Sequence, residues 1–348
     1  MKILYATQAT GNGHLSRARD IIPLLQKKGK VDILTSGIHA DIPLPYPVRY
    51  KFNGLGFMFG RNGGVDMLNT FRRNSLSKIV RELRTLPIDQ YDLIINDFEP
   101  ISAWSSLLKG KPSVALSHQC AVLSKKAPLP KEKSRMGKFI LQHYAPATVQ
   151  YGFHFSRFDE NIFTPVIRKE IRQLTVSDKG HYTVYLPSYD DNKLIETFSS
   201  FRDIQWQIFS KHNKKAFTEK NISIRPIANK AFMESMAACR GIICGAGFET
   251  PAEAMFLGKK LMVIPMKNQY EQACNAAALD VLGVPVVKDL KAKQHPQIES
   301  WLQHGLSFRV DFPDITEEII DMVVEKHAPT GSIAPSPLWG ENSAFLRF

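Results

Sequence analysis

Short apolar runs alternate with helical patterns along the whole chain. Five of the runs predict the strands of a first sheet: Ile3–Ala6, Val31–Leu34, Leu93–Asn96, Val114–Leu116 and Gln150–Phe155. Six more predict a second sheet: Tyr182–Leu186, Ile204–Phe209, Ile222–Arg225, Gly241–Cys244, Met262–Ile264 and Val284–Val287. Because strands and helices alternate over this length, we predict an α/β fold in which two doubly wound, Rossmann-like domains face each other across a cleft.

The length of 348 residues is sufficient for about two domains. The regular spacing of strands is interrupted in the polar stretch Ser156–Lys179. We therefore predict an N-terminal domain of residues 1–160 and a C-terminal domain of residues 161–328, followed by a tail, 329–348, that could pack back on the first domain. Residues 37–64 are rich in Gly, Pro and aromatic side chains, which is typical of a mobile surface loop that covers a site.

Composition narrows the class of protein. Apolar residues make up 44% of the chain, which is enough to bury two cores. There is no run of about 18 apolar residues, so we expect no transmembrane helix. The N-terminal MKILYAT leads directly into a strand and lacks the layout of a signal peptide. The four cysteines show no CxxC spacing, which favours a reducing, cytoplasmic setting without a structural metal.

The net charge of +12 is concentrated in the first half of the chain. Lys and Arg outnumber Asp and Glu by 23 to 12 in residues 1–160, but only by 22 to 21 in residues 161–348. The basic residues of the first half cluster in Arg72-Arg73, in Lys78–Arg84 and in Lys125–Lys138. This pattern fits an ordinary solvated surface, a nucleic-acid-binding surface or contact with an anionic membrane.

A strand-turn-helix pattern between Ile243 and Gly258 predicts a ligand site. The turn holds Gly245 and Gly247, Thr250 is a candidate N-cap, and Pro251 suits the first helical position. Glu253 has two interpretations, because the same carboxylate could close a capping box or bind a hydroxyl of a ligand. The bare amides of such a helix start can bind an anion.

A second junction of the same kind follows at Leu261–Pro265. Glu271 and Gln272 come at the head of the next helix and place an acid and an amide beside the glycine turn. Together the two junctions indicate a site for a phosphorylated, hydroxyl-rich ligand such as a nucleotide sugar.

The first strand leads into the glycine loop Gly11, Asn12, Gly13 and His14, ahead of a helix predicted at Leu15–Lys28. A dinucleotide site is disfavoured because Ser16 stands where a third glycine is needed. The second predicted strand also ends in Thr35-Ser36 rather than in an acid that could bind a ribose.

His14 is a candidate general base, since the start of a helix disfavours the protonated imidazole. Asp97 follows the strand Leu93–Asn96, and we expect it on the same rim of the sheet, where it could orient His14. Alternatively, His14 only bonds a loop and Asp97 only caps a helix. His118 is a second histidine on that rim, and we expect it to shape a pocket.

Thr7–Leu25 and Ala238–Leu279 carry a resemblance that extends over most of the chain. They resemble GT-B nucleotide-sugar-dependent glycosyltransferases, and the pattern is similar to the peptidoglycan N-acetylglucosaminyltransferase group (glycosyltransferase family 28) and its bacterial and archaeal relatives. The resemblance implies that residues 1–160 bind the acceptor and residues 161–328 bind the nucleotide sugar.

The resemblance also implies roles for residues on the donor side. Gly247 and Glu253 have the G-x5-E spacing in which the acid binds the donor ribose. Glu271-Gln272, followed by Asn275, resembles the pair that binds the hydroxyls of the donor sugar. Ser188 lies where relatives place a serine that contacts phosphate.

Two positions depart from the family pattern. Many relatives carry a phosphate-contacting histidine where Gly245 stands, and Glu249 would repel a diphosphate unless it points away. On the acceptor side, the resemblance supports His14 as the base and Asp97 as its partner.

The implied activity is an inverting transfer of a sugar from a nucleoside diphosphate, most simply UDP, to an acceptor hydroxyl. Neither a metal nor a cofactor is expected, and Arg225 or the amides of the glycine turn would meet the charge of the leaving group. The acceptor could be lipid-linked or a glycan, and the basic half favours a cytoplasmic protein that associates peripherally with the inner face of a membrane.

Two alternatives remain from the sequence. A nucleotide-sugar 2-epimerase has the same architecture and would need converging carboxylates, for which Asp97, Glu249 and Glu271 are candidates. A non-enzymatic, basic nucleic-acid-binding module would explain the charge, but nothing resembles a recognition helix or an RNA-binding sheet motif, so no nucleic acid is expected as a partner.

Overall fold

Two β-sheets dominate the computed structural model, which describes residues 1–37, 44–54, 76–132, 134–307 and 309–329. The strands of the first sheet are β1 (Lys2–Gln8), β2 (Lys30–Ser36), β3 (Tyr50–Phe52), β4 (Leu93–Asp97), β5 (Val114–Ser117), β6 (Val149–Phe153) and β7 (Ile162–Phe163). All of their pairings are parallel, in the order β3-β2-β1-β4-β5-β6-β7.

The second sheet contains β8 (His181–Tyr185), β9 (Gln205–Ser210), β10 (Phe217–Glu219), β11 (Ile222–Pro226), β12 (Gly241–Cys244) and β13 (Lys260–Val263). Its order is β10-β11-β9-β8-β12-β13. Only the short β10 pairs in the antiparallel direction, with β11. The two sheets confirm the predicted α/β fold of two doubly wound domains.

The helices connect the strands and cover the sheets. In the described residues they are α1 (Asn12–Gln26), α2 (Leu76–Thr85), α3 (Pro100–Leu108), α4 (His118–Val122), α5 (Arg135–Tyr144), α6 (Lys169–Arg172), α7 (Asp191–Phe198), α8 (Asn229–Ala238), α9 (Glu249–Phe256), α10 (Tyr270–Val281), α11 (His295–His304) and α12 (Thr316–His327). Two short 3₁₀ turns are formed by Ile88–Gln90 and Ala292–Gln294.

The order of strands reverses beside β1 in the first sheet and beside β8 in the second. β1 lies between β2 and β4, and β8 lies between β9 and β12. In open parallel sheets, ligands bind outside the carboxyl ends of the strands at such a switch point. The glycine loop after β1 and the glycine turn after β12 therefore stand at the two positions that the topology favours.

One predicted strand is wrong. Val284–Val287 forms only an isolated parallel bridge, between Val286 and Val263, rather than a strand. Pro285 has no N–H to donate, so the segment contributes only the carbonyl of Pro285 and the N–H of Val287 to the edge of the sheet. The short strands β3, β7 and β10 carry too few residues to give a periodic signal, and the sequence did not predict them.

The linker between the two sheets, residues 164–180, packs against both domains. Val166, Ile167 and Ile171 are buried in one continuous apolar cluster that contains Ile3 of β1 and Phe256 of α9. Burial of large apolar side chains on both sides of a cleft stabilises one arrangement of the two domains.

Two features fall across the predicted domain limits. β7 extends the first sheet to Phe163. Helix α12 returns to the N-terminal domain, where Lys27 binds Glu317 at 2.7 Å and the Tyr151 hydroxyl lies 2.8 Å from His327 Nε2. The chain thus returns to the N-terminal domain before the predicted tail begins. Residues 330–348 of that tail and most of the predicted loop 37–64 lie outside the described ranges.

Two kinds of feature are absent from the described residues. None of the helices in the described ranges is long and apolar enough to cross a membrane. Nor does that part of the chain contain a group of three or more His, Cys, Asp or Glu side chains that could hold a metal ion.

Asp20 of α1 is a partly buried acid beside the linker whose charged form is disfavoured by the fold. Burial and the nearby Glu170 carboxylate raise the pKa of Asp20 to about 6, from an ordinary value of 3.8. Its Oδ2 atom is buried without a hydrogen-bond partner among the described residues. Because the folded pKa exceeds the unfolded one, the fold favours the protonated acid and loses that stabilisation as the pH rises from about 4 to about 6.

Asp20→Asn should therefore stabilise the protein at neutral pH. The amide keeps the shape of the neutral acid and carries no charge, so we expect the free energy of unfolding at pH 7 to rise by about 1–2 kcal/mol. Denaturant unfolding at pH 7 and at pH 4 measures the difference. The gain should vanish at pH 4, and an equal gain at both values would show that titration of Asp20 is not its cause.

Candidate active site

The cavity between the two sheets has a volume of about 670 Å³. Most residues that the sequence predicts for the site line it: Gly11, Asn12, Gly13, His14, His118, Gly247, Thr250, Glu253, Glu271 and Gln272. Asp97 is fully buried directly behind His14. The other predicted residues, Ser188, Arg225 and Gly245, do not line the cavity.

His14 and Asp97 form a hydrogen-bonded pair. Helix α1 begins at Asn12, so His14 lies in its first turn, after a loop in which Gly11 has a φ of 111° that favours glycine. His14 Nδ1 is 2.9 Å from Asp97 Oδ1. A carboxylate can only accept, so Nδ1 carries the proton and Nε2 of the neutral ring is a proton acceptor.

The turn after β4 holds Asp97 in place. Phe98 has a φ of 56°, a left-handed conformation that costs a residue with a side chain about 1–2 kcal/mol. Two bonds between Asn96 and Glu99, of 2.7 and 3.0 Å, close the turn. The Glu99 carboxylate caps α3 by accepting from the Ile101 amide at 2.8 Å. The helix cap is therefore Glu99, and Asp97 is left to bind His14.

The predicted direction of the pKa shift of His14 is wrong. Burial lowers the pKa of this imidazole, but the Asp97 carboxylate raises it more strongly, and the net pKa lies above the ordinary 6.5. Glu249 acts in the same direction as Asp97, and Arg17 acts against them. The neighbouring carboxylates thus raise the pKa of His14, contrary to the direction expected from its place at the start of a helix.

Arg17 is the second partner of Asp97. Its side chain is 2% exposed, and its Nη2 atom lies 2.8 and 2.9 Å from the two Asp97 oxygens. Its Nη1 atom donates to Glu249 Oε1 of the other domain at 2.5 Å. Glu249 therefore points across the cleft toward Arg17. The sequence led us to expect that Glu249 would repel a diphosphate unless it points away, and in the structure its charge is paired with that of Arg17.

The start of α9 differs from the predicted one. The helix begins at Glu249, with Phe248 as N-cap and no side-chain cap bond, so Thr250 and Pro251 lie within the first turn. The capping-box interpretation is wrong because the carboxylates that could close the helix end are bound elsewhere. Glu249 binds Arg17, and Glu253 binds Arg168.

Glu253 forms a buried, two-point ion pair with Arg168 of the linker. Arg168 Nε lies 2.5 Å from Oε1, and Nη2 lies 2.7 Å from Oε2. Both side chains are less than a tenth exposed, and both touch the cavity. Burial raises the pKa of Glu253, whereas the Arg168 charge lowers it, with a net shift upward.

A bridge of polar groups crosses the cavity from His14 to α10. Gln119 of α4 donates through Nε2 to Glu271 Oε2 at 3.1 Å, and the same nitrogen is 3.4 Å from His14 Nε2. The Gln119 carbonyl oxygen is buried without a partner among the described residues. Gln272 accepts from the Met266 amide at 2.8 Å, which orients its side chain beside Glu271.

His118 joins the two domains. Its Nδ1 lies 2.7 Å from the Phe153 carbonyl and its Nε2 lies 2.7 Å from Asn275 Oδ1, while its ring stacks on Phe248 with 3.9 Å between centroids. Burial lowers its pKa. Since both ring nitrogens lie against oxygen atoms of the protein, His118 lines the cavity as a contact between the two domains.

The three predicted residues outside the cavity have local roles. The Gly245 amide donates to the Tyr185 carbonyl at 3.2 Å and is not available to a ligand. Arg225 Nε contacts Ser223 Oγ at 3.4 Å within β11. Ser188 lies in the turn after β8.

Sequence reasoning missed Arg17, Arg168 and Gln119. Arg17 follows His14 by three residues on α1, which places the two on one helix face, and this spacing was the available signal. Gln119 adjoins His118 at the end of β5. Arg168 gives no local signal, because its partner is 85 residues away.

Two facing Rossmann-like domains with a cavity between them define the GT-B class, and solved glycosyltransferases share this fold. The glycotransferase of kitacinnamycin aligns over 94% of this chain and 99% of its own, with 14% identity and a TM-score of 0.59. UGT2 of Phytolacca americana, in complex with UDP-2fluoro-glucose and pterostilbene, aligns over 95% and 96%, with 14% identity and a TM-score of 0.57. MurG of Acinetobacter baumannii aligns over 93% and 99%, with 13% identity and a TM-score of 0.52.

The sequence profile of Glycosyl transferase family 1 matches residues 1–304, and the chain belongs to that family. It is therefore an enzyme that transfers sugars, as the motifs in its sequence predicted. Curated protein sequences give no match.

Breaking the buried Arg168–Glu253 ion pair should destabilise the protein strongly. Glu253→Ala leaves the buried guanidinium without its partner, so we expect a loss of about 3–5 kcal/mol in the free energy of unfolding. Loss of a helix cap alone would cost about 1 kcal/mol. Denaturant unfolding measures the loss, and the double variant Arg168→Met/Glu253→Met should recover most of it. A double variant no more stable than Glu253→Ala would contradict the ion-pair explanation.

Proposed function

We propose that this protein is an inverting glycosyltransferase that moves a sugar from a UDP-linked donor to an acceptor hydroxyl without a catalytic metal ion. The observation that carries the proposal is that His14, bonded to the buried Asp97, lines the same cavity as the first turn of α9, which has no side-chain cap. One domain supplies a proton acceptor, and the other supplies amides suited to an anion.

In the proposed reaction, His14 Nε2 removes the proton of the acceptor hydroxyl while the hydroxyl oxygen bonds to the anomeric carbon. The bond from that carbon to the diphosphate oxygen breaks, and its electron pair leaves with the nucleoside diphosphate. Attack opposite the leaving group inverts the anomeric centre. The proton stays on His14, where the Asp97 carboxylate stabilises the imidazolium.

The charge of the leaving diphosphate is met by the turn that leads into α9. Gly247 has open space beside its backbone, since an added Cβ would touch nothing within 4 Å. The N–H groups of Glu249 and Thr250 and the helix dipole favour an anion there, whereas Pro251 has no N–H. Because the Gly245 amide is already bonded, we assign this role to the backbone from Gly247 to Thr250.

The donor is proposed to lie along the C-terminal wall of the cavity. Glu253 binds the ribose hydroxyls with the carboxylate lone pairs that Arg168 leaves over. Glu271 and Gln272 bind the hydroxyls of the transferred sugar. A base can enter the apolar part of the wall, formed by Phe209, Ile227, Ala228 and Phe232. The complex of Phytolacca americana UGT2 with UDP-2fluoro-glucose supports UDP as the nucleotide.

The arrangement of charges favours transfer over 2-epimerisation. An epimerase would need carboxylates that converge on the sugar. Asp97 is fully buried behind His14 and Arg17, and Glu249 is bound by Arg17. Of the three candidate carboxylates, Glu249 and Glu271 line the cavity, and Glu249 is held there in its ion pair with Arg17.

The acceptor is proposed to be a lipid-linked molecule at an anionic membrane. Met136 and Phe139 of α5 are 64% and 57% exposed, and Arg135 and Lys138 lie on the same helix. Helix α5 packs against the head of α10, where an added Cβ at Gly137 would lie 2.5 Å from Tyr270, so this apolar and basic surface is on the helix next to the one that carries Glu271. The basic pair Arg72-Arg73 and most of the predicted loop 37–64 lie outside the described residues.

His14→Ala should lower kcat by about two to four orders of magnitude, because it removes the base. Affinity for the nucleotide sugar should change little, since His14 lies on the opposite wall. Asp97→Asn should cause a smaller loss of the same kind. Steady-state kinetics and calorimetric titration with UDP-glucose and UDP-N-acetylglucosamine measure both effects, and a fully active His14→Ala enzyme would refute the mechanism.

Membrane contact predicts binding to phosphatidylglycerol vesicles at low salt and weak binding to phosphatidylcholine vesicles. Met136→Ser/Phe139→Ser should reduce the bound fraction, since it removes the apolar contact. Leu306→Ser, which changes an even more exposed apolar residue of the C-terminal domain, should not. Co-sedimentation measures the bound fraction, and equal binding to both kinds of vesicle would favour a soluble acceptor.

A further inference from the structure

Arg17 connects the proposed base to the other domain through one guanidinium. Its Nη2 atom lies 2.8 Å from Asp97 Oδ1 and 3.3 Å from His14 Nδ1. Its Nη1 atom lies 2.5 Å from Glu249 Oε1, at the start of α9. A single buried cation thus touches both members of the His14–Asp97 pair and an acid that only the C-terminal domain can bring.

Asp97 is shared between two partners of different charge. With Arg17 bound to both of its oxygens, the carboxylate is partly neutralised before it meets the His14 proton. The more completely Arg17 neutralises Asp97, the less the carboxylate favours the imidazolium. The position of the guanidinium therefore bears directly on how readily His14 takes up a proton.

Glu249 fixes that position from across the cleft. Its carboxylate is 22% exposed, and it lies so close to the glycine loop that a Cβ at Gly13 would be 2.7 Å from Oε2. This contact exists only when the two domains stand as they do here. Separation of the domains would remove a negative charge from the surroundings of His14 and leave Arg17 with Asp97 alone.

We propose that Arg17 and Glu249 form a cross-cleft pair that sets the proton affinity of His14, so that closure of the domains adjusts the base for transfer. Both are positioning residues, because they act through Asp97 and His14 and not on the substrate. The inference rests on the proposed role of His14 as the base.

The charged groups that face His14 shift its pKa in opposite directions. Asp97 and Glu249 raise the pKa of His14, whereas Arg17 lowers it. Glu271 reaches the ring only through the Gln119 amide, 3.1 Å from the acid and 3.4 Å from the imidazole. The two halves of one salt bridge should therefore shift the proton affinity of His14 in opposite directions.

Opposite pKa shifts in variants of Arg17 and Glu249 would distinguish an electrostatic role of the pair from a merely structural one. Arg17→Met and Glu249→Gln break the same ion pair, so a structural role would change the site in the same sense in both variants. We expect the pKa of His14 to rise by about one unit or more in Arg17→Met and to fall by a similar amount in Glu249→Gln. NMR titration of ¹³C-labelled histidine in the whole protein measures both, with the His14 signal assigned from its loss in His14→Gln.

Two further variants complete the test. Arg17→Lys keeps the positive charge and should return the pKa toward the original value. Lys27→Met, which breaks the exposed ion pair with Glu317, should leave it unchanged. If Arg17→Met does not fold, Glu249→Gln still decides, because Glu249 is partly exposed and its loss leaves Arg17 bound to Asp97. Shifts in the same direction in both variants, or no shift in Glu249→Gln, would overturn the proposal.

The titration needs no substrate, so its outcome is independent of the proposed function. If the shifts occur but His14→Ala remains active in sugar transfer, the adjustment exists and the assignment of the base is wrong. If His14 proves to be the base, the acid limb of the pH dependence of kcat/KM should move with the titration, to higher pH in Arg17→Met and to lower pH in Glu249→Gln.

Discussion

The buried carboxylate of Asp97 is the constraint on which the site depends. An ionised acid with no exposed surface costs several kcal/mol unless its oxygens are fully bound. His14 and Arg17 together supply that binding, and burial and the two partners leave the pKa of Asp97 below its ordinary value. The imidazole is held in one tautomer and the guanidinium in one position because the carboxylate accepts from both. The geometry of the cavity follows from satisfying this one charge.

The sheet topology explains why the sequence predicted the pair of His14 and Asp97. β1 and β4 are parallel neighbours, with Thr7 paired to Asp97, so the loops after both strands must open on the same edge. Any polar side chain that ends one strand therefore lies near the loop that follows the other. The alternation of strands and helices was visible in the chain, and the ends of the strands could be placed from it. The same logic located the turn after β12.

The charged contacts could not be predicted, because their partners are distant in sequence. Arg17 meets Glu249 across 232 positions and Arg168 meets Glu253 across 85, and nothing local distinguishes such an arginine from a solvated one. The Thr250-Pro251 signal for a capped helix was misleading for the same reason. A capping carboxylate gains about 1 kcal/mol from a helix end, whereas a buried arginine without its partner costs several times more. Tertiary pairing therefore overrides the local preference.

In the described residues, the cations that line the cleft are the buried Arg17 and Arg168 and the more exposed Arg19 and Lys230. Arg17 and Arg168, the buried cations that touch the cavity, are each matched by carboxylates, so a diphosphate bound as proposed would meet the backbone of the turn before α9 and not an unpaired guanidinium. Backbone amides hold an anion by geometry, and they do not have to be released from a salt bridge first. An anionic ligand near α9 would also compete with Glu249 for Arg17. If the donor binds as proposed, its binding and the charge around His14 would be linked through the one guanidinium of Arg17.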